Sequence, residues 1–334
     1  MHDEYRSIVD LVREECDLQL ARAGLPAGLA EDLLSRKVLF GEHPEALIVL
    51  PVVMYRALGG GNAEDVAPVA AAMEFLLAAA DILDDVQDLA LPEHARSGDR
   101  VHSHYINEVE LLTTLLLLAE QSVISLLNTR LDPRRVGSVI ARFNTFKVKA
   151  FNGQYADVHG NVGISRDIED SLRITFGKSG SLGRCAGELG AILATSNSTV
   201  IEAAGSYGEH LAVARQFHDD VANLWPRTGR LDDLEQLKST LPFTFALTHS
   251  GNGHHATPSL ESLVPLDDLV ALPVNGTSRV RRDLSSARDE VFKGGGIHFG
   301  LLQSIIHLVK ARSIGRRLEK LPPGEGLLEH LASA

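Results

Sequence analysis

Between Ala70 and Asp88 the chain runs AAAMEFLLAAADILDDVQD, rich in Ala and Leu and free of Gly and Pro. Such a composition predicts a helix. Within it Asp81, Asp84, Asp85 and Asp88 fall at i, i+3, i+4 and i+7, so a helical period stacks four carboxylates on one face. Like charges at this spacing repel, and acids near a helix C-terminus oppose its dipole. A divalent cation offsets that repulsion. Carboxylate oxygens suit Mg²⁺, which keeps several waters and completes its shell with substrate phosphates. Taken alone, the pattern also fits a solvated acidic helix end. A second helical stretch, Gly208 to Leu224, carries QFHDDVAN with Gln216, Asp219, Asp220 and Asn223. Two acidic helices in one chain can clamp a metal-bound diphosphate between them.

The remaining periodicity predicts helices over 3–23, 28–38, 46–58, 64–88, 104–129, 133–157, 167–195 and 198–224. Asp232 can cap a further helix containing LKSTLPFTFALTH, with Pro242 near its start or kinking it, and helices resume near Ser278 and after Gly294–Gly296 before a polar tail. Few runs alternate as strands do, so the expected class is all-α. At 334 residues and 44% hydrophobic composition, the chain can fill one large helical bundle. A single domain over 1–334 is expected, with an irregular excursion at about 250–277, where Gly and Pro gather. Trp225, just before Pro226 at a helix end, is expected to pack rather than act.

A formal charge of −12 argues against nucleic acid and against an anionic membrane surface. No apolar run approaches the ~18 residues of a membrane span, and MHDEYRS lacks the basic-then-apolar pattern of a signal peptide. Cys16 and Cys185 have neither CxxC spacing nor a His cluster beside them, which fits a reducing compartment. A cytoplasmic protein without an integral membrane segment is expected.

The order of motifs resembles the trans-isoprenyl diphosphate synthase superfamily from about Phe40 to Leu247. DDVQD at 84–88 is similar to its first aspartate-rich motif, FNGQYADV at 151–158 to its GQxxD helix, and FGKSGSL at 176–182 to its KTxxL segment. QFHDDVAN resembles the second aspartate motif, and LKSTLPFTFAL at 237–247 the K-x-TLP helix start. The resemblance implies a bundle of long antiparallel helices around a deep apolar cavity. It further implies Mg²⁺ held by Asp84, Asp85, Asp88 and Asp219, with Asp220 and Asn223 as neighbours or ligands. Lys178, Lys238 and Arg96 would contact the phosphates of an allylic prenyl diphosphate, with Gln216 in the same site. Asp84, Asp85, Lys178 and Lys238 would carry the ionisation, in which Mg²⁺ and cationic side chains stabilise the leaving pyrophosphate. Homodimerisation, common in that superfamily, is a further expectation.

Chain-elongating members carry GGKRxRP, whose Lys and second Arg bind isopentenyl diphosphate. Here the segment reads FGEHPEA, with Glu42 and Glu45 at those positions. A His common before the first motif corresponds to Leu77, and the second Arg of a following RRG corresponds to Ser97. All four changes fall on the isopentenyl diphosphate site, and two reverse its charge. Bulky residues four or five positions before the first motif stop the product chain in the family. Ala79 and Ala80 stand there, which fits either an open cavity floor or close helix packing.

Three functions follow from the resemblance. The first is prenyl transfer to an acceptor other than isopentenyl diphosphate, with Glu42 and Glu45 recognising that acceptor or serving as a base. The second is a terpene synthase, in which the substrate's own double bonds capture the cation; a low aromatic content of 5% argues mildly against it. The third is a non-catalytic partner subunit of a prenyl diphosphate synthase, in which the metal motifs would have been free to decay. The first is favoured.

Overall fold

The computed structural model describes residues 2–34, 46–87, 99–159, 167–225, 240–250, 285–319 and 327–332. Among them the fold is all-α, without a strand. Helix α1 spans His2–Ala23, α2 Ala27–Leu34 and α3 Ala46–Ala57. Gly59, at φ 84°, ends α3 in the left-handed region, which a residue without a Cβ enters at no steric cost. The helix expected over 64–88 begins later. A 3₁₀ turn, Ala63–Asp65, is capped by Asn62, and α4 then runs Ala67–Gln87 with Pro68 in its first turn, where a missing N–H costs nothing.

Helices α5 (Asp99–Ser125) and α6 (Pro133–His159) follow. The stretch expected as one helix over 167–195 is α7 (Ile168–Thr175), a π-turn (Phe176–Gly180) and α8 (Ser181–Ala194). Helix α9 covers Ser198–Ala222 and α10 Leu241–Ser250. Pro242 sits at the second position of α10, as its missing donor requires. Helices α11 (Ser285–Lys293), α12 (Gly296–Leu318) and α13 (Leu327–Leu331) complete the described chain.

Three sequence expectations need correction. The segment expected as a polar tail holds α13, whose Leu328 is fully buried and accepts a hydrogen bond from the Tyr207 hydroxyl at 2.6 Å. Leu328, Leu331 and Ala332 are all buried, so this short apolar helix closes one end of the core. Trp225 is 46% exposed, because it follows the turn that ends α9 and lies on no packed helix face. Finally, Tyr105–Asn128 is long and apolar enough to cross a membrane by length and composition, with a mean hydropathy of 1.5. Its Leu111, Leu115, Leu118 and Ala119 belong to the core, and it packs along α4. The expected excursion at 250–277 lies outside the described residues apart from Ser250.

The core is built on α3, α4, α8 and α9. Helix α3 is buried along almost its whole length, as its unbroken apolar sequence demands. Gly183 of α8 and Gly208 of α9 meet so closely that a Cβ on either would strike the other's carbonyl. Their contact fixes how near these two helices lie, and α9 carries half of the site described below.

Helix α12 packs along α9 through a histidine pair. His307 is buried against Phe176 and Phe217, with ring centroids at 5.3 and 5.8 Å, and its Nδ1 lies 3.1 Å from Nδ1 of His210. Burial, the adjacent His210 and Lys310 push His307 down to about 4 from the ordinary 6.5. Above pH 6.5 the ring is neutral whether the chain is folded or not. Between 6.5 and about 4 the unfolded ring takes a proton that the folded ring refuses, so stability falls as pH falls through that window. Urea denaturation should show wild type losing about 2 kcal/mol between pH 7.5 and 5 in excess of His307→Leu. Equal losses in the two proteins would free this histidine from the pH dependence.

Candidate active site

Helices α4, α6, α8 and α9, with the N-terminal end of α3 and the π-turn, enclose a cavity of about 190 Å³. Its apolar wall comes from Leu47, Leu77, Ala80, Leu83, Ala150, Phe151, Leu182 and Ala212. The charged and polar groups arrive from opposing sides. Asp81 and Asp84 come from α4, Gln154 from α6, Lys178 and Ser179 from the π-turn, and Arg215, Gln216 and Asp219 from α9.

The two aspartate motifs therefore face one cavity. Helical geometry divides each motif: consecutive residues point about 100° apart. Asp84 and Asp219 line the cavity, whereas Asp85 and Asp220 are not among its lining residues. Asn223 ends α9, where its backbone N–H bonds to the Asp219 carbonyl at 2.8 Å. Ala80 lines the cavity, but Ala79 is fully buried in the core. Of the two readings the sequence left open, Ala80 stands in the cavity wall and Ala79 in close helix packing. Leu77 lines the cavity as well, one turn before Asp81.

A hydrogen-bond network joins the two walls. Lys178 Nζ donates to Asp84 Oδ1 at 2.8 Å and reaches Asp157 Oδ2 at 3.5 Å. Gln154 Nε2 donates to the same Asp84 oxygen at 2.9 Å and to Gln87 Oε1 at 2.7 Å. On the other side Ser179 Oγ donates to Gln216 Oε1 at 2.7 Å, and Gln216 Nε2 donates to Asp220 Oδ1 at 2.8 Å. The π-turn thus links both motifs through adjacent residues, Lys178 to Asp84 and Ser179 to Gln216. A π-turn widens the helix and redirects its side chains. The turn sits directly against α6, where Gly153 packs on the backbone of Gly177 and Lys178.

Burial pushes the Asp220 carboxyl up to about 7; the hydrogen bond from Gln216 and the Lys178 charge pull it down, while Asp157 and Asp219 add to the rise. A cation beside such a carboxyl favours its ionised form. Among the described residues no three His, Cys, Asp or Glu side chains converge to hold an ion by themselves. The donor set is two sets of carboxylates on facing helices, all oxygen. That arrangement fits Mg²⁺, which takes one or two carboxylates and fills its shell with water and phosphate.

Asp84, Lys178, Gln216 and Asp219, all named from the sequence, line the same cavity; their roles stand as proposals. Sequence reasoning missed Arg215 and Ser179 as cavity residues. Arg215 could have been found from its spacing, four residues before Asp219 and hence on the same face. Glu42, Glu45, Asp88, Arg96, Ser97 and Lys238 lie outside the described residues.

A family model described as polyprenyl synthetase matches residues 47–261. A (2E,6E)-farnesyl diphosphate synthase of Mycobacterium tuberculosis is 28% identical over 200 residues, which are 58% of this chain and 54% of that protein. A geranylgeranyl diphosphate synthase of the same organism is 29% identical over 195 residues, 56% of this chain and 54% of its own. The chain thus spans about half the length of the curated relatives it matches. Among solved structures, geranylgeranyl pyrophosphate synthase from Corynebacterium glutamicum, complexed with isoprenyl diphosphate and magnesium, superposes with a TM-score of 0.77. The superposition covers 97% of each chain at 17% identity, a likeness of fold. A polyprenyl synthetase from Streptomyces coelicolor gives a TM-score of 0.73 at 19% identity, over 99% of this chain and 96% of that one.

Proposed function

Since the chain belongs to the polyprenyl synthetase family, we propose that it ionises an allylic prenyl diphosphate and transfers the prenyl group to an acceptor other than isopentenyl diphosphate. The observation that supports the first half is the cavity itself: Asp84 of α4 and Asp219 of α9 both line it, with Lys178 bonded to Asp84. The second half rests on the sequence, where Glu42 and Glu45 replace the cations that serve isopentenyl diphosphate in the resembling family.

In this reading Asp84, Asp85 and Asp88 on one side, and Asp219, Asp220 and Asn223 on the other, hold Mg²⁺. The bound metal supplies Lewis-acid stabilisation of the departing diphosphate. The chain's own residues do the rest. Lys178 exchanges its carboxylate partners for phosphate oxygens, joined by Lys238 and Arg96. Gln154 and Gln216, each tied to an aspartate, fix the carboxylates in their rotamers and so keep the charge preorganised. The C1–O bond breaks with its electron pair leaving on diphosphate. The apolar wall around Ala80 and Phe151 excludes water from C1, and π electrons of the acceptor form the new bond. The acceptor then gives up a proton to the diphosphate or to a nearby carboxylate.

A cyclase finds less support in the cavity. Phe151 is its single aromatic lining residue among those described, which leaves a migrating carbocation little π surface. Self-association through α5 and a cytoplasmic setting belong to the same reading. Ile106, Val109, Leu117 and Ile124 are exposed along one face of that helix, and both cysteines are buried and unpaired.

The test is incubation with Mg²⁺ and geranyl, farnesyl or geranylgeranyl diphosphate, each with and without isopentenyl diphosphate. Slow release of pyrophosphate with a linear alcohol as product is the expected result when no acceptor is present. A cyclic hydrocarbon from one substrate alone would establish the cyclase, and chain elongation would overturn the reading of Glu42 and Glu45.

A further inference from the structure

Helix α12 turns one face to the core and another to solvent. On the inner face Gly300, Ser304, His307, Ala311 and Gly315 recur at intervals of three and four. Gly300 approaches Val221 of α9, Ser304 Oγ donates to the Ala214 carbonyl at 2.8 Å, His307 meets His210 and Gly315 lies against Tyr207. Side chains on the far side of such a helix point outward. There stand Leu301, Leu302, Ile305, Ile306 and Val309, joined from α11 by Phe292, whose ring centroid lies 5.3 Å from that of His298. All six apolar side chains are between 36 and 57% exposed. They form a strip about 12 Å long on α12, continued toward its C-terminal end by exposed Lys310, Arg316 and Arg317. Arg316 is paired with Glu329; Lys310 and Arg317 extend the strip with positive charge. No acid occurs from 296 to 318, although the chain holds 44.

A contiguous exposed apolar face marks a contact surface, and apolar residues beside cations on one helix are the pattern of helices that lie in a lipid interface. We propose that α12 docks the protein on an anionic bilayer: Phe292, Leu302, Ile305 and Val309 enter the boundary between headgroups and acyl chains, while Lys310 and Arg317 meet lipid phosphates. The formal charge of −12 repels such a surface at long range. Salt confines that repulsion to about 10 Å, and the element that makes contact carries no acid. A second copy set face to face would oppose the same cations, with no acid on α12 to answer them. An acidic protein would need a groove shaped to a convex helix, whereas lipid yields to any apolar relief. None of these residues lines the catalytic cavity, so the inference stands apart from the transferase reading. Docking puts the enzyme at the surface into which its proposed substrate, an apolar chain on a diphosphate, partitions.

Co-sedimentation of the full chain with vesicles is the test. Wild type should bind phosphatidylcholine vesicles with about one third phosphatidylglycerol at least about tenfold more tightly than phosphatidylcholine alone, and added salt should narrow the gap. I305Q/V309Q should weaken binding to the mixed vesicles about tenfold or more by removing inserted apolar surface. K310Q/R317Q should weaken it about tenfold on the mixed vesicles and less than about twofold on phosphatidylcholine alone. L127Q/V148Q alters two exposed apolar residues away from α12 and should bind as wild type does. Circular dichroism checks folding, and if one α12 variant fails to fold, the other decides. Equal binding to the two vesicle types, or an equal loss in L127Q/V148Q, overturns the proposal. No binding by wild type overturns it too and leaves the face to a protein partner. Sedimentation velocity gives the last outcome: an oligomer present in wild type and lost in I305Q/V309Q would assign the face to a second copy and overturn the lipid.

Discussion

Replacing Asp84 by asparagine should lower turnover at least about 10³-fold while leaving the helical fold intact. Asparagine keeps the size of the side chain and its capacity to accept from Gln154, so the wall of α4 has no reason to move. It removes one negative charge at the point where the network converges. Lys178 Nζ, now 2.8 Å from that carboxylate, would retain Asp157 at 3.5 Å as its anionic contact and would shift toward it. The proposed metal site would lose a charged oxygen from the wall facing Asp219. Losing one preorganised electrostatic contact to a leaving oxyanion costs about 10² to 10³ in rate, and a misplaced metal adds several kcal/mol. Pyrophosphate release from farnesyl diphosphate with Mg²⁺ measures the effect, with circular dichroism as the check on folding. Activity within about tenfold of wild type would remove Asp84 from the ionising machinery.

Gly153→Ala should lower activity roughly 10²-fold through a residue that touches no substrate. A Cβ built at 153 comes within 2.5 Å of the Gly177 carbonyl carbon and of the Lys178 backbone nitrogen. Both are main-chain atoms in the π-turn, so no flexible side chain can step aside. The turn must shift by something near 1 Å, and a displacement of that size far from the chemistry can cost about 10² in rate. Lys178 and Ser179 move together, which loosens both halves of the site at once. Overpacking of this kind also destabilises the fold by about 1–3 kcal/mol. The informative comparison is kcat against thermal stability in Gly153→Ala and in Gly137→Ala on the same helix, where an added Cβ meets nothing within 4 Å. Matching kcat values in these two variants would show that the crossing of α6 and the π-turn has no bearing on catalysis.

These two positions also show what a sequence makes legible. The aspartates could be placed because a repeat of three and four residues has one meaning on a helix, and α4 and α9 are long enough to obey it. Their opposition across one cavity was legible only through the order of five motifs, since periodicity says nothing about which helices are neighbours. The π-turn left no mark in FGKSG that composition could reveal. Its wider turn is held by packing against Gly153, a contact with a residue more than twenty positions away. The Gly183–Gly208 contact was hidden for the same reason: a small residue inside a helix has many uses, and only the partner defines this one. Arg215 was overlooked because a lone arginine is usually a surface charge. The buried α13 was concealed by PPGEG just before it, although Leu328, Leu331 and Ala332 carry helical spacing.

The π-turn has a consequence for how such a chain can change over time. A π-turn adds about one residue to a helical turn, and each residue carries about 100° of rotation. The stretch from 168 to 194 therefore has a phase slip in its middle. Residues before it pack on α10 and α6, and those after it on α3, α9 and α6. Lys178 and Ser179 sit inside the slip. A residue added in the turn would press on α6 at Gly153, which already packs on the backbone of Gly177 and Lys178. The reach of the lysine toward Asp84 is thus set where the turn and α6 cross.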